Sequence, residues 1–175
     1  MFQRQNPGYS ALSRGRYSAA GEEYFLTFNL QRPQHGLIEP TLLSRVFVEL
    51  QMLASDGSWF VRTGVVMPDH MHLLVRLSDR VLLAEAMRHF KGRLAPVLHQ
   101  RGLRWQRSFF DHRMRHGEDC LPVFLYIFLN PWRAGLVGFN ESWPGFICAP
   151  DEWEWFGPLT NAGTPYPEWL ENRND

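Results

Sequence analysis

The chain has 175 residues, 45% of them apolar, with 12 prolines spread along it, a composition that suits one globular domain and excludes a disordered or fibrous chain. No apolar run approaches the length of a membrane span, and the N-terminal residues lack the apolar core of a secretory leader. Cys120 and Cys148 are the only cysteines, too few for a disulfide framework or a zinc knuckle, so a cytoplasmic protein without membrane contact is expected.

Net charge is zero, yet its distribution is uneven. From Arg76 to Arg115 ten Arg or Lys residues stand against three acids, whereas from Glu141 to Asp175 seven acids stand against Arg173 alone. A neutral chain arranged this way can present one positive face to a polyanion, or can spend the same charges on solvated faces and mutual ion pairs. Within the basic stretch Lys91 is the single lysine, and arginine forks suit bidentate phosphate contacts.

Residues 1–20, with Arg4, Arg14 and Arg16, read as an arm. Glu23 to Leu30 is aromatic and β-prone, a first strand. A loop with Pro33 follows. Thr41 to Ala54 then carries Leu43, Val46, Phe47, Leu50 and Leu53 at helical spacing, with Pro40 at the first helical position and Asp56-Gly57 as the stop. Trp59 to Met67 and Met71 to Leu77 read as two antiparallel strands joined tightly at Pro68-Asp69. Arg80 to Gln100 is a second helix, striped by Leu83, Met87, Phe90, Leu94 and Leu98, with Pro96 placed to bend it. Arg104 to Arg115 alternates as a fourth strand: Trp105, Arg107, Phe109, Arg113 and Arg115 share one side, and Phe110, His112 and Met114 the other. Cys120 to Leu129 is a third helix, apolar nearly all round and therefore buried. The order β-α-β-β-α-β-α predicts an α+β, ferredoxin-like sandwich: an antiparallel sheet with its helices on one face. Residues 1–140 are expected to form the working domain, and 141–175 an acidic, Trp- and Pro-rich extension that is a plain surface segment or a shield over the basic groove.

Two pairs of residues stand out. His70 and His72 lie two apart on a strand, so both imidazoles project from one face, half of a metal site. Alone, that spacing is a weak signal, and the plainer reading is two half-buried histidines satisfied by hydrogen bonds. Asp69, beside them, is expected to point to the opposite strand face. Tyr126 and Asn130 lie four apart on the third helix, so an amide oxygen sits one turn from a phenol and can complete a His-His-Asn site for Mg²⁺ or Mn²⁺. The plainer readings are a core tyrosine, and an asparagine that caps the turn opened by Pro131.

Taken together and in order, the strings MPDHMHLLV (67–75), WQRSFFDH (105–112) and YIFLNPWRAGLV (126–137) resemble the REP-associated tyrosine transposases, a branch of the single-tyrosine HUH transposases, over residues 15 to 140. Asp69 stands where that family commonly has Asn, and Phe128 where a more polar residue is frequent.

The resemblance implies a ferredoxin-like catalytic domain that cleaves single-stranded DNA with a divalent metal and recognises hairpins of extragenic palindromes. It gives His70 and His72 the metal-binding role, Tyr126 the nucleophile and Asn130 the third polar position. It leaves His112 open, touching either the site or only the sheet. Arg104, Arg107, Arg113 and Arg115, with Lys91 and Arg93, are the candidates for tracking the DNA backbone. Trp105 is the candidate for stacking an unpaired base, against a core or sheet-edge position. Two other readings compete: a hairpin-binding protein that does not cut, and an unrelated metal hydrolase, against which the lack of a carboxylate beside the histidines counts. A monomer and a homodimer are both compatible with the sequence.

Overall fold

The computed structural model describes residues 21–31, 36–161 and 163–165. The expected N-terminal arm, most of the Pro33 loop and the end of the acidic extension lie outside the described residues.

Five antiparallel strands form one sheet in the order β4-β1-β3-β2-β5, with β1 at Glu23–Asn29, β2 at Trp59–Val66, β3 at His70–Leu77, β4 at Phe110–Arg113 and β5 at Phe146–Cys148. Helices α1 (Pro40–Ser55), α2 (Leu83–Gln100), α3 (Leu121–Arg133) and α4 (Pro150–Phe156) complete the α+β fold, and a short 3₁₀ turn follows at Gly157–Leu159. Pro40 opens α1, where Glu39 caps the free backbone N–H groups of Thr41 and Leu42.

The helices do not share a face, contrary to the expectation from sequence. Alternation along the strands sends Leu26, Phe28, Met71, Leu73 and Val75 to one side, where they pack with Val46, Leu50, Phe90 and Leu94 of α1 and α2. Val65 and Leu74 point to the other side and pack with Phe124, Ile127 and Phe128 of α3 and Phe156 of α4. Both sheet faces carry apolar side chains, so both need a cover.

Three further details differ from the sequence reading. Strand β4 is four residues long rather than twelve, because only Phe110 to Arg113 pair with β1; Trp105 makes a single bridge to Leu30. Helix α2 starts at Leu83 rather than Arg80, and it runs through Pro96 to Gln100. Helix α3 runs through Pro131 to Arg133, so Asn130 is a helical residue whose carbonyl accepts from Ala134 N–H at 3.0 Å, not a cap.

The C-terminal stretch is built into the core. Strand β5 adds to the edge of β2, and Trp143 donates its indole N–H to the Val66 carbonyl at 2.8 Å. Gly145 is required there: a Cβ would collide with the Val66 carbonyl oxygen and lie 2.6 Å from the Trp143 indole nitrogen. Phe156 of α4 packs against Phe124 and Phe128 at ring-centroid distances of 5.2 and 5.5 Å. That second helix braces α3 on the sheet.

Candidate active site

The strand register determines which side chains meet on the α3 face. His70 sits opposite Asn29, and His72 opposite Thr27 on one side and Val65 on the other. The two imidazoles touch edge to face with ring centroids 4.8 Å apart. His72 is buried at 4% exposure, and its Nδ1 is 2.7 Å from the Thr27 hydroxyl. Burial, reinforced by repulsion from His70, pushes the His72 pKa down to about 3, so this ring is neutral in ordinary buffers.

Nδ1 of His70 lies 2.7 Å from Oδ1 of Asp69. An ionised carboxylate only accepts, so this bond places a proton on Nδ1 of His70 and, in the neutral ring, leaves Nε2 with a free lone pair. Asp69 therefore does not point away from the pair; the turn at Pro68-Asp69 breaks the strand alternation before His70 and brings the carboxylate alongside. Both histidines have Nδ1 engaged by a neighbour, the arrangement that orients metal-ligating imidazoles.

Tyr126 comes to this pair from α3. Its ring centroid is 5.1 Å from that of His72, and Phe25 fills the space beside them, stacked on His72 at 5.6 Å and edge-on to Tyr126 at 5.7 Å. Tyr126 is 40% exposed, on the side of α3 that also carries the exposed Pro122 and Arg133, so a core tyrosine is excluded. Asn130 follows one turn later, half-buried. Because α3 continues through Pro131, Arg133 also returns to this face, with its guanidinium carbon 5.4 Å from the Tyr126 ring centroid. Among the described residues no group of three or more His, Cys, Asp or Glu side chains could hold a metal ion. The fold thus brings two imidazoles together, and the Asn130 amide lies one helical turn from Tyr126.

The expected DNA contacts divide. Arg104, Arg107, Arg113 and Arg115 are exposed. Arg93 instead extends from α2 towards Glu49 and Asp56, at 3.6 and 3.9 Å, in the helical layer on the sheet's other face. Its charge is already engaged there. Lys91 donates to the carbonyls of Gln106 and Ser108 at 3.0 and 3.2 Å and so shapes the loop before β4. Trp105 is not a stacking surface: it is 9% exposed and packs edge-on to Phe28 at 6.1 Å. His112 lies beside Phe25 across the strands but binds Glu118 at 3.1 Å, one step removed from the histidine pair. Thr27, Phe25 and Arg133 belong to the site and carried no sequence signal of their own, since cross-strand pairing and the continuation of α3 reveal them.

Comparison with known proteins follows the same lines. The family model for IS200-like transposases matches residues 32–116, which include both histidines and end before Tyr126. The chain is 27% identical over 137 residues to the REP-associated tyrosine transposase of Escherichia coli (strain K12), covering 74% of this chain and 78% of that protein. A solved REP-associated tyrosine transposase bound to a REP hairpin is similar in structure, with a TM-score of 0.65 and 25% identity over 75% of this chain and 79% of that one. No helix among the described residues is long and apolar enough to cross a membrane.

Proposed function

We propose that this chain, similar to the REP-associated tyrosine transposases, nicks and rejoins single-stranded DNA at hairpins such as repetitive extragenic palindromes. The observation that carries this reading is the exposed Tyr126 phenol beside the buried His72, ring to ring at 5.1 Å. A phosphodiester resting against the open side of this contact would meet a nucleophile from α3 and the histidine pair of β3 together.

In the proposed reaction the phenol oxygen of Tyr126 bonds to the scissile phosphorus and loses its proton, while the bond to the 3′-oxygen breaks and that oxygen takes up a proton. The products are a 5′-phosphotyrosine and a free 3′-hydroxyl. The new link conserves the phosphodiester, so another strand's 3′-hydroxyl can displace Tyr126 by the reverse chemistry without ATP. His70, His72 and Asn130 are the residues that would hold Mg²⁺ or Mn²⁺, which would supply Lewis acidity towards the phosphate. Asp69 holds the His70 ring with its proton on Nδ1, Thr27 orients the His72 ring, and Arg133 adds a cation where the anionic phosphate must approach. Arg104, Arg107, Arg113 and Arg115 remain the candidates for backbone contacts, and their loss should weaken binding across sequences and flatten its salt dependence.

Incubation with end-labelled single-stranded hairpin DNA and Mn²⁺ should yield a covalent protein–DNA adduct that survives a denaturing gel. Hairpin binding with no adduct and no cleavage, at any Mn²⁺ concentration, would leave a binding protein and overturn the enzymatic reading. A second expectation concerns Thr27. Thr27→Val preserves the strand and the side-chain volume while removing the partner of His72 Nδ1, so half-maximal cleavage should need about 10- to 100-fold more Mn²⁺. An unchanged metal titration would remove Thr27 from the site.

A further inference from the structure

We infer that Phe110, not Trp105, is the surface on which an unpaired base next to the scissile phosphate stacks, an inference that rests on the proposed DNA-cutting function. The placement begins with Lys91. By binding the carbonyls of Gln106 and Ser108 and lying 5.4 Å over the Phe109 ring, it holds the loop so that Phe109 packs against the α1–α2 core. Alternation then sends the next residue, Phe110, to the opposite sheet face.

That face is the one that carries the active site. Phe110 pairs with Thr27, and Thr27 pairs with His72, so the three side chains form one row across strands β4, β1 and β3. Two strand spacings separate Phe110 from His72, about 10 Å between backbones, within the span of a nucleotide adjoining a phosphate held at His72. Helix α3 covers Phe25 and Leu74 further along this face but stops short of Phe110, which is 58% exposed.

A single exposed apolar side chain is ordinary on a protein surface. Phe110 differs in its address. It stands at the open end of the row that contains the histidine pair, on an edge strand. An exposed aromatic face of this kind binds unpaired bases without regard to their identity. It also serves the reaction, because a stacked base fixes the sugar on one side of the phosphate and so the line of attack from Tyr126.

The test is a cycle between protein and DNA. Single-stranded hairpin oligonucleotides carry either normal bases or one abasic site at each position within two nucleotides of the cleavage point, and affinity and cleavage are measured for wild type, Phe110→Ala and Phe110→Trp. Phe110→Ala should weaken binding of the intact strand about tenfold and Phe110→Trp should restore it. At one position the abasic site should cost wild type the same factor and cost Phe110→Ala nothing more. Equal losses for wild type and Phe110→Ala at every position, or no loss from Phe110→Ala on the intact strand, would overturn the assignment. The binding arm is separate from chemistry: absence of a covalent adduct in wild type would count against the cutting reaction, whereas the stacking contact is decided by the affinity cycle alone.

Discussion

Tyr126→Phe should abolish the covalent adduct, lowering cleavage by at least about a thousandfold, while hairpin affinity stays within about twofold. The expectation follows from what the substitution keeps. The phenyl ring retains its edge contacts with Phe25 and His72, and the Arg133 guanidinium still lies over it. Tyr126 sits on the exposed side of α3, so no buried polar partner is stranded by losing the hydroxyl. Only the oxygen proposed to attack is gone. A denaturing gel reads the adduct, fluorescence anisotropy reads hairpin binding, and a thermal melt within a degree of wild type shows that α3 is undisturbed. Cleavage of single-stranded DNA by Tyr126→Phe at the wild-type rate would remove the tyrosine from the mechanism. The parallel variant His72→Ala is expected to be less clean, because it empties a nearly closed space between Thr27, Phe25 and Val65 and so costs stability as well as metal affinity.

The comparison of sequence with structure shows where local pattern carries information. Strands β1 to β3 and helix α1 were legible to within about two residues, since period 2 and period 3.6 differ sharply in those stretches and Pro40 and Gly57 mark the ends. The pattern misled at residues 104–109. These alternate like a strand, but a strand needs a partner ladder, and here the chain is instead held by Lys91 and one bridge to Leu30. The assignment of residues 105–115 to two sides was sound at Phe110 and His112, which do share a face. What alternation cannot say is which side is covered, and so it leaves Trp105 open between a stacking surface and a core or sheet-edge position and gives Phe110 no role. The helix-breaking reading of Asn130-Pro131 failed for a related reason: α3 is held by its burial on Val65 and Leu74, and packing outweighs the hydrogen bond that proline removes. The histidine pair and Tyr126 could be singled out because their chemistry is local, two imidazoles two residues apart and a phenol four before an amide. Thr27 could not, because it lies 45 residues from His72 in sequence and only the β1–β3 register joins them.

Arg62→Ala should be strongly destabilising, at about 3–5 kcal/mol, and the reason again lies in register. A bulge in β2 between Val61 and Thr63 turns Arg62 towards the α3 face. There its guanidinium donates to both carboxylate oxygens of Glu152 at 2.5 and 3.0 Å and to Glu23 at 2.7 Å, and lies 5.4 Å from the Phe124 ring centroid. Strand β1, strand β2, the first turn of α3 and helix α4 thus meet on one cation. Burial alone would raise the Glu152 pKa, but the bond from Arg62 and a second from the Trp155 indole at 2.7 Å bring it below the ordinary carboxylate range. A carboxylate whose pKa is lowered by folding stabilises the fold above its unfolded value of 4.5 and loses that contribution as pH falls through the lower folded value. Truncating Arg62 takes the counter-ion from the largely buried Glu152, leaves Glu23 with Arg76 alone, and releases the clamp between α4 and the sheet. For a chain of this size the expected cost corresponds to a fall in melting temperature of roughly 6–20 °C. Glu152→Gln, which keeps the shape and some of the hydrogen bonds, should cost less and should also flatten the loss of stability below pH 4.5. Because the clamp braces the start of the helix that presents Tyr126, Arg62→Ala should also slow adduct formation at temperatures where circular dichroism shows it fully folded. Melting curves at pH 7 decide the first claim: a midpoint within 2 °C of wild type, on the order of the shift from 1 kcal/mol or less, would show that Arg62 is a replaceable surface charge and that α3 is positioned by apolar packing alone.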